Sequence, residues 1–270
     1  MSSAATIALA LTIHEPDDRL LPLLEAQLPA LAARYAALVA HCSSQTHHSM
    51  LALLRAHGAL VHVDDQERPG ILGIGEVRRQ ALRAGLEAGT THIQLCDFDR
   101  ALHWSARHAA ELEQVAGSLP HYDLLVLGRT HRAWATHPAY QTETEVLFNR
   151  VFFLATRLPW DLGAGCRGAS RLAAERLLAL STDPTVGVDA EWPLLLLRAG
   201  TGSEPALRLG YRACEGLEFE TADRFGPEIE AAGSYAAWLA RMEADPRHWA
   251  FRIQVADLIA AAIARHSGLG

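Results

Sequence analysis

The sequence predicts an α/β fold with a mostly parallel sheet flanked by helices. Short apolar segments alternate with helical segments along the first hundred residues, an order typical of parallel strands joined by helices. The chain has 270 residues, half of them hydrophobic, which is enough for one large core or two small ones. The end of the chain has a helical pattern. We therefore expect a main domain over 1–225 and a C-terminal helical appendage over 226–270.

Each predicted strand of the first half is followed directly by polar residues. The strands span residues 6–13, 36–42, 59–63 and 91–96, and the helices between them span 19–35, 50–57 and 76–89. Ligands of parallel sheets bind beyond the carboxyl ends of the strands. We therefore expect the polar residues at these ends to gather along one edge: His14-Glu15, Ser43-Ser44, Asp64-Asp65 and Asp97.

The second half has a less regular pattern. It predicts strands over 124–129 and 206–213 and helices over 143–156, 170–180, 190–199 and 248–266.

The composition excludes several classes of protein. All 24 basic residues are arginine, so a Schiff-base enzyme, a Walker A loop and a kinase site are excluded for want of lysine. The net charge of −7, without a basic stripe, argues against nucleic-acid binding. Four widely spaced cysteines indicate reduced thiols and a cytoplasmic protein. No apolar run approaches the length of a transmembrane helix.

The most informative motif is Asp97-Phe98-Asp99, directly after the fourth strand. Two carboxylates at this spacing can bind one Mg²⁺ or Mn²⁺ ion and bridge it to a diphosphate. The motif alone could equally be an exposed acidic turn. Its place at the end of a buried strand, on the edge where ligands bind, favours the metal site.

With this motif in place, the chain resembles the GT-A glycosyltransferases, especially the family-two and dolichyl-phosphate-mannose-synthase-like group. The resemblance covers about residues 5–215, and its segments follow in the family's order. Beyond the D-x-D motif they are Gly70–Leu82, Gly128–Trp134, Phe148–Phe153, Asp161–Leu178 and Val188–Gly200. The resemblance implies a nucleotide-binding half over 1–100 and an acceptor half over 101–225.

The resemblance also implies a function: metal-dependent transfer of a sugar, a hexose in our expectation, from a UDP- or GDP-sugar to a small-molecule or lipid-linked acceptor. We expect no nucleic-acid partner, and a homodimer is compatible with this class. Metal ligands would be Asp97 and Asp99 with His248, the cofactor being Mg²⁺ or Mn²⁺. The donor would be bound by Glu15, Ser43, Asp64 and Arg78, and its diphosphate also by Asp97. If the reaction inverts, the catalytic base would be Asp189 in preference to Glu191.

Departures from the family pattern keep a second interpretation open. Ser43-Ser44 stands where the family usually has an aspartate pair, and Ala101 replaces a common glutamine. The alternative is a catalytically silent protein that binds nucleotide sugars on the same fold. A haloacid-dehalogenase-type phosphatase is disfavoured by the missing lysine. A Rossmann dehydrogenase is disfavoured because Arg78 stands at the third glycine position of its fingerprint.

Overall fold

The computed structural model describes residues 5–66, 70–199 and 206–267 of the chain. Seven strands form one sheet in this part: β1 (Ile7–Ile13), β2 (Ala37–Cys42), β3 (Leu60–Val63), β4 (His92–Asp97), β5 (Leu124–Arg129), β6 (Cys166–Ser170) and β7 (Leu209–Cys214). The helices of the first half are α1 (Leu21–Arg34), α2 (His48–Ala56), α3 (Ile74–Glu87), α4 (Phe98–Arg107) and α5 (Ala109–Ser118). Those of the second half are α6 (His131–Trp134), α7 (Ala139–Thr156), α8 (Arg171–Leu180), α9 (Val188–Ala199), α10 (Gly226–Ala231), α11 (Tyr235–Glu243) and α12 (Pro246–Ser267).

The sheet confirms the predicted fold class. Its strand order is β3-β2-β1-β4-β6-β5-β7. The strands β3, β2, β1 and β4 are parallel neighbours, and β5 pairs in parallel with β7. Only β6 runs antiparallel, between β4 and β5. The carboxyl ends of the first four strands therefore meet at one edge.

Among the seven strands of the described sheet, β6 is the one that the sequence did not predict. Its five residues are small or charged and contain no β-branched side chain, so the usual signal of a strand is absent. Packing explains its composition, because a Cβ atom on Gly168 would collide with the side chain of Leu119. The strand is defined by its two neighbours and not by local propensity.

Two hydrophobic clusters cover the two faces of the sheet. One face packs against α1 and α4, with Leu24, Leu28 and Trp104 fully buried. The other face packs against α3, α8 and α9, and it also includes Val255 and Ile259 of α12. The last helix of the predicted C-terminal appendage therefore contributes to the same core as the sheet.

None of the helices in the described residues combines the length and the apolar character that a membrane span requires.

A buried ion-pair network joins the end of β5 to α7. Arg129, whose side chain has no exposed surface, pairs with Glu145 and Asp161. Asp161 accepts hydrogen bonds from the Nε atom of Arg129 at 2.8 Å and from its backbone N–H at 2.9 Å. Arg252 of α12 pairs with Glu145 as well. The network therefore fixes α7 and α12 to the sheet.

Replacing Arg129 should destabilise the protein severely. Arg129→Met leaves Asp161 and part of the charge of Glu145 uncompensated in the interior, and we expect the free energy of unfolding to fall by about 3–5 kcal/mol. Urea denaturation measures this loss. Glu175→Gln, which removes an exposed ion pair with Arg171, is the control and should cost about 0.5 kcal/mol or less. Equal losses in the two variants would contradict the assigned role of the network.

Candidate active site

A cavity of about 810 Å³ opens at the carboxyl ends of β1 to β4. As predicted for strands of one mostly parallel sheet, polar side chains at the ends of different strands line it together. From the strand ends, the lining includes Thr12, His14, Glu15, His41, Ser43, Asp64, Asp97 and Asp99. Residues far apart in the sequence thus share one site because the parallel strands end at the same edge.

The D-x-D motif lies on this edge, where β4 meets α4. Asp97 ends β4, and its Oδ1 atom accepts a hydrogen bond from the Thr12 hydroxyl at 2.8 Å. Asp99 lies in the first turn of α4, where the positive end of the helix dipole favours a carboxylate. The two side chains are 31% and 19% exposed. Both carboxylates are therefore accessible from the cavity.

The donor chemistry of Asp97 and Asp99 fits Mg²⁺ or Mn²⁺ only if the ligand completes the site. Within 5–66, 70–199 and 206–267 there is no cluster of three or more His, Cys, Asp or Glu side chains that could hold a metal ion. Mg²⁺ commonly binds one or two carboxylates together with substrate phosphates and water. Two accessible carboxylates in one cavity are compatible with that mode of binding. They do not form a closed cage of protein ligands.

Arg78 brings a buried positive charge to the motif. Its Nη2 atom lies 3.5 Å from Oδ2 of Asp97, and its Nη1 atom pairs with Asp189. Gly165, in the left-handed region with φ of 64°, faces the same point, since a Cβ atom there would lie 2.7 Å from Nη2 of Arg78. Only glycine leaves room for this guanidinium beside Asp97.

Glu15 forms the floor of the cavity beyond β1. Its side chain is fully buried and pairs with Arg224, whose Nη2 atom also lies 2.9 Å from Oδ2 of Asp99. Burial raises the pKa of the Glu15 carboxyl from 4.5 to about 7, although the positive charge of Arg224 opposes the shift. The neighbouring Asp99 raises this pKa further.

Ser43 and Asp64, two further predicted donor-binding residues, also line the cavity. The Nδ1 atom of His14 lies 2.9 Å from Oγ of Ser43. Asp64 is buried, and its Oδ2 atom lies 3.6 Å from Nε2 of His41. These side chains offer both donors and acceptors to a polar ligand. The structure thus places Glu15, Ser43 and Asp64 in the lining of one cavity.

Both predicted candidates for the catalytic base lie outside the cavity lining. Asp189 is buried between Arg78 and Arg167, whose Nη2 atom lies 2.8 Å from Oδ1 of Asp189. Glu191 is fully buried and accepts hydrogen bonds from the backbone N–H groups of 182 and 183, both at 3.1 Å. In this arrangement Asp189 orients Arg78, and Glu191 fixes the loop before α9.

His248, the predicted third metal ligand, also lies away from the D-x-D motif. Its ring stacks on Tyr140 at 5.1 Å between centroids, and it is not among the residues that line the cavity. The structure does not bring it to Asp97 and Asp99.

The cavity residues that the sequence analysis missed include His41, Glu220, Arg224 and Phe251. Glu220 and Arg224 belong to the segment after β7, where Glu220 pairs with Arg100 of α4 at 2.9 Å. The segment has no motif, so nothing in its residue pattern indicates a site. His41 is the second-last residue of β2, and its contact with Asp64 depends on the pairing of β2 with β3.

Comparison with solved structures shows the fold of the chain. Glucosyl-3-phosphoglycerate synthase from Mycobacterium tuberculosis with phosphoglyceric acid superposes with a TM-score of 0.54 at 15% identity, covering 98% of this chain and 81% of that chain. The same enzyme with Mn²⁺, UDP and glucosyl-3-phosphoglycerate gives 0.50 at 14% identity, with coverage of 98% and 81%. A structure described as a mycobacterial protein gives 0.53 at 15% identity, with coverage of 98% and 75%.

These neighbours include glycosyltransferases, and the chain has their GT-A fold, as predicted. At this identity the likeness concerns the fold alone. No protein-family model matches the chain, and no curated protein matches it. The narrower resemblance to the dolichyl-phosphate-mannose-synthase-like group is not confirmed.

The raised pKa of Glu15 predicts a specific dependence of stability on pH. The folded protein holds this proton up to about pH 7, whereas the unfolded chain releases it near 4.5. The free energy of unfolding should therefore fall as the pH rises through this window, because the folded state binds more protons. Urea denaturation of wild type and Glu15→Gln at about pH 5 and about pH 7 tests this. The decline should be smaller in the variant, and identical declines would refute the assignment.

Proposed function

We propose that this protein is a glycosyltransferase that transfers a sugar from a nucleoside diphosphate sugar, with Mg²⁺ or Mn²⁺ as cofactor. The observation that carries the proposal is the single cavity that joins the D-x-D carboxylates to polar side chains at the ends of β1, β2 and β3. The GT-A neighbours support it, since one of them is a glucosyltransferase whose complex contains Mn²⁺ and UDP. We propose further that the donor is a hexose linked to uridine diphosphate or guanosine diphosphate.

Each end of the cavity suits one part of such a donor. Ser43 and Asp64 would bind hydroxyl and amide groups of the nucleoside, because hydroxyl and carboxylate oxygens accept hydrogen bonds from both. Glu15 is fully buried and would act through its ion pair with Arg224. Asp97 and Asp99 would hold the metal ion beside the diphosphate. Arg78, kept in place by Asp189, would add positive charge at the same point.

Transfer breaks the bond between the anomeric carbon and the diphosphate oxygen and forms a bond from that carbon to an acceptor oxygen. The acceptor hydroxyl releases its proton to water, and the nucleoside diphosphate leaves with one more negative charge, which balances the released proton. A bound divalent ion supplies electrostatic stabilisation of that charge. The residues of this chain orient the donor and keep its diphosphate near Arg78.

A thermal-shift screen tests whether the cavity binds the proposed donor. A ligand that binds only the folded protein raises its melting temperature. UDP, GDP and their hexose conjugates, each with and without MnCl₂, should give a shift for one base that increases with the metal. A protein that responds to none of these ligands is not a nucleotide-sugar enzyme. Binding without turnover of any acceptor would instead support the silent binding protein.

Removing either carboxylate of the motif should abolish transfer without unfolding the protein. We expect Asp97→Asn and Asp99→Asn each to lower kcat by about a hundredfold or more, because each loses charge that holds the metal ion. Release of the nucleoside diphosphate from the donor measures the rate. Asp257→Asn, at an exposed position of α12, is the matched control and should keep full activity. Full activity in both motif variants would refute the metal site.

A further inference from the structure

The segment between β7 and α10 brings an arginine into the cavity that no motif indicates. Arg224 lines the cavity and is 22% exposed. It pairs with two carboxylates from different strand ends, Glu15 beyond β1 and Asp99 beyond β4. A group in contact with both residues lies between the nucleoside end of the proposed donor site and the acids of the proposed metal site.

The chain holds this arginine in place by contacts outside the cavity. Arg19 donates a hydrogen bond to the backbone carbonyl of Arg224 at 3.3 Å and pairs with Glu228 at 2.7 Å. The Arg19 guanidinium also lies over the ring of Phe225, 5.3 Å from its centroid. On the other side of Arg224, Glu220 pairs with Arg100. The segment is thus attached to α4 and to the loop before α1, and Arg224 points inward from it.

The chemistry of the side chain suits a diphosphate. A guanidinium carries five N–H donors and stays charged at any physiological pH. The two ion pairs engage Nη1 and Nη2, which leaves further N–H donors for a ligand. Planar guanidinium groups bind phosphate oxygens through paired, charge-assisted hydrogen bonds.

We propose that Arg224 is a donor-binding residue whose guanidinium donates hydrogen bonds to the diphosphate of the nucleotide sugar. This inference rests on the function proposed above. The segment after β7 then binds the donor together with the residues at the strand ends. Glu15 and Asp99 then orient the guanidinium, and the diphosphate binds between Arg224 and Arg78.

The test compares nucleotide affinities in a pair of variants that differ only at Arg224. Arg224→Met alone would leave the buried Glu15 without its cation, so both proteins carry Glu15→Gln. Calorimetric titration with UDP and with GDP, each with MnCl₂, gives the dissociation constants. Uridine and guanosine, measured by competition, report on the nucleoside end alone. Melting temperatures confirm that both proteins are folded.

The double variant Glu15→Gln/Arg224→Met should bind the preferred diphosphate at least about tenfold more weakly than Glu15→Gln, as expected for the loss of hydrogen bonds to a charged group. Its affinity for the nucleoside should stay within about twofold. Arg224→Lys, which keeps the charge without the planar fork, should show an intermediate loss. Arg247→Met, at an exposed position of α12 outside the cavity lining, is the matched control and should bind like wild type.

Three results would overturn the proposal. Unchanged diphosphate affinity in the double variant would show that Arg224 does not contact the ligand. An equal loss for nucleoside and diphosphate would show that Arg224 acts only through the docking of its segment. A wild-type protein that binds neither UDP nor GDP would refute the glycosyltransferase function together with this inference. In the first two cases that function would stand.

Discussion

Pairing of buried carboxylates with arginine is the interaction on which this structure depends. The chain has no lysine, so guanidinium groups are its only strong cations. Arg129 compensates Glu145 and Asp161 in the core, while Arg78 and Arg167 enclose Asp189. A buried charge without a partner is costly. These pairs therefore restrict how α7, α9 and α12 can pack on the sheet.

Pairs of carboxylate and arginine also lie at the edge of the cavity, where some of the carboxylates are accessible. Arg78 and Arg224 each contact one buried carboxylate, Asp189 or Glu15, and one accessible carboxylate of the D-x-D motif. The buried partner fixes the guanidinium, and the accessible carboxylate faces the cavity. Such a site is organised before the ligand binds, which lowers the entropic cost of binding.

The position of this site agrees with the proposed chemistry. A departing diphosphate gains negative charge, and positive groups that are already oriented stabilise that charge most effectively. The GT-A neighbours bind UDP and Mn²⁺ in one of their complexes, but their identity to this chain is only 14 to 15%. The proposed function therefore depends on the side chains that line the cavity.

The sequence by itself determined the α/β class, the four parallel strands of the first half and the gathering of Glu15, Ser43, Asp64 and Asp97, because periodicity and strand ends are local properties of the chain. Only the tertiary structure decided the rest. It inserted β6 between β4 and β5, placed Asp189 and Glu191 in the interior, stacked His248 on Tyr140 and brought Arg224 into the cavity. Each of these outcomes depends on contacts between residues far apart in the chain, and no local pattern encodes such contacts.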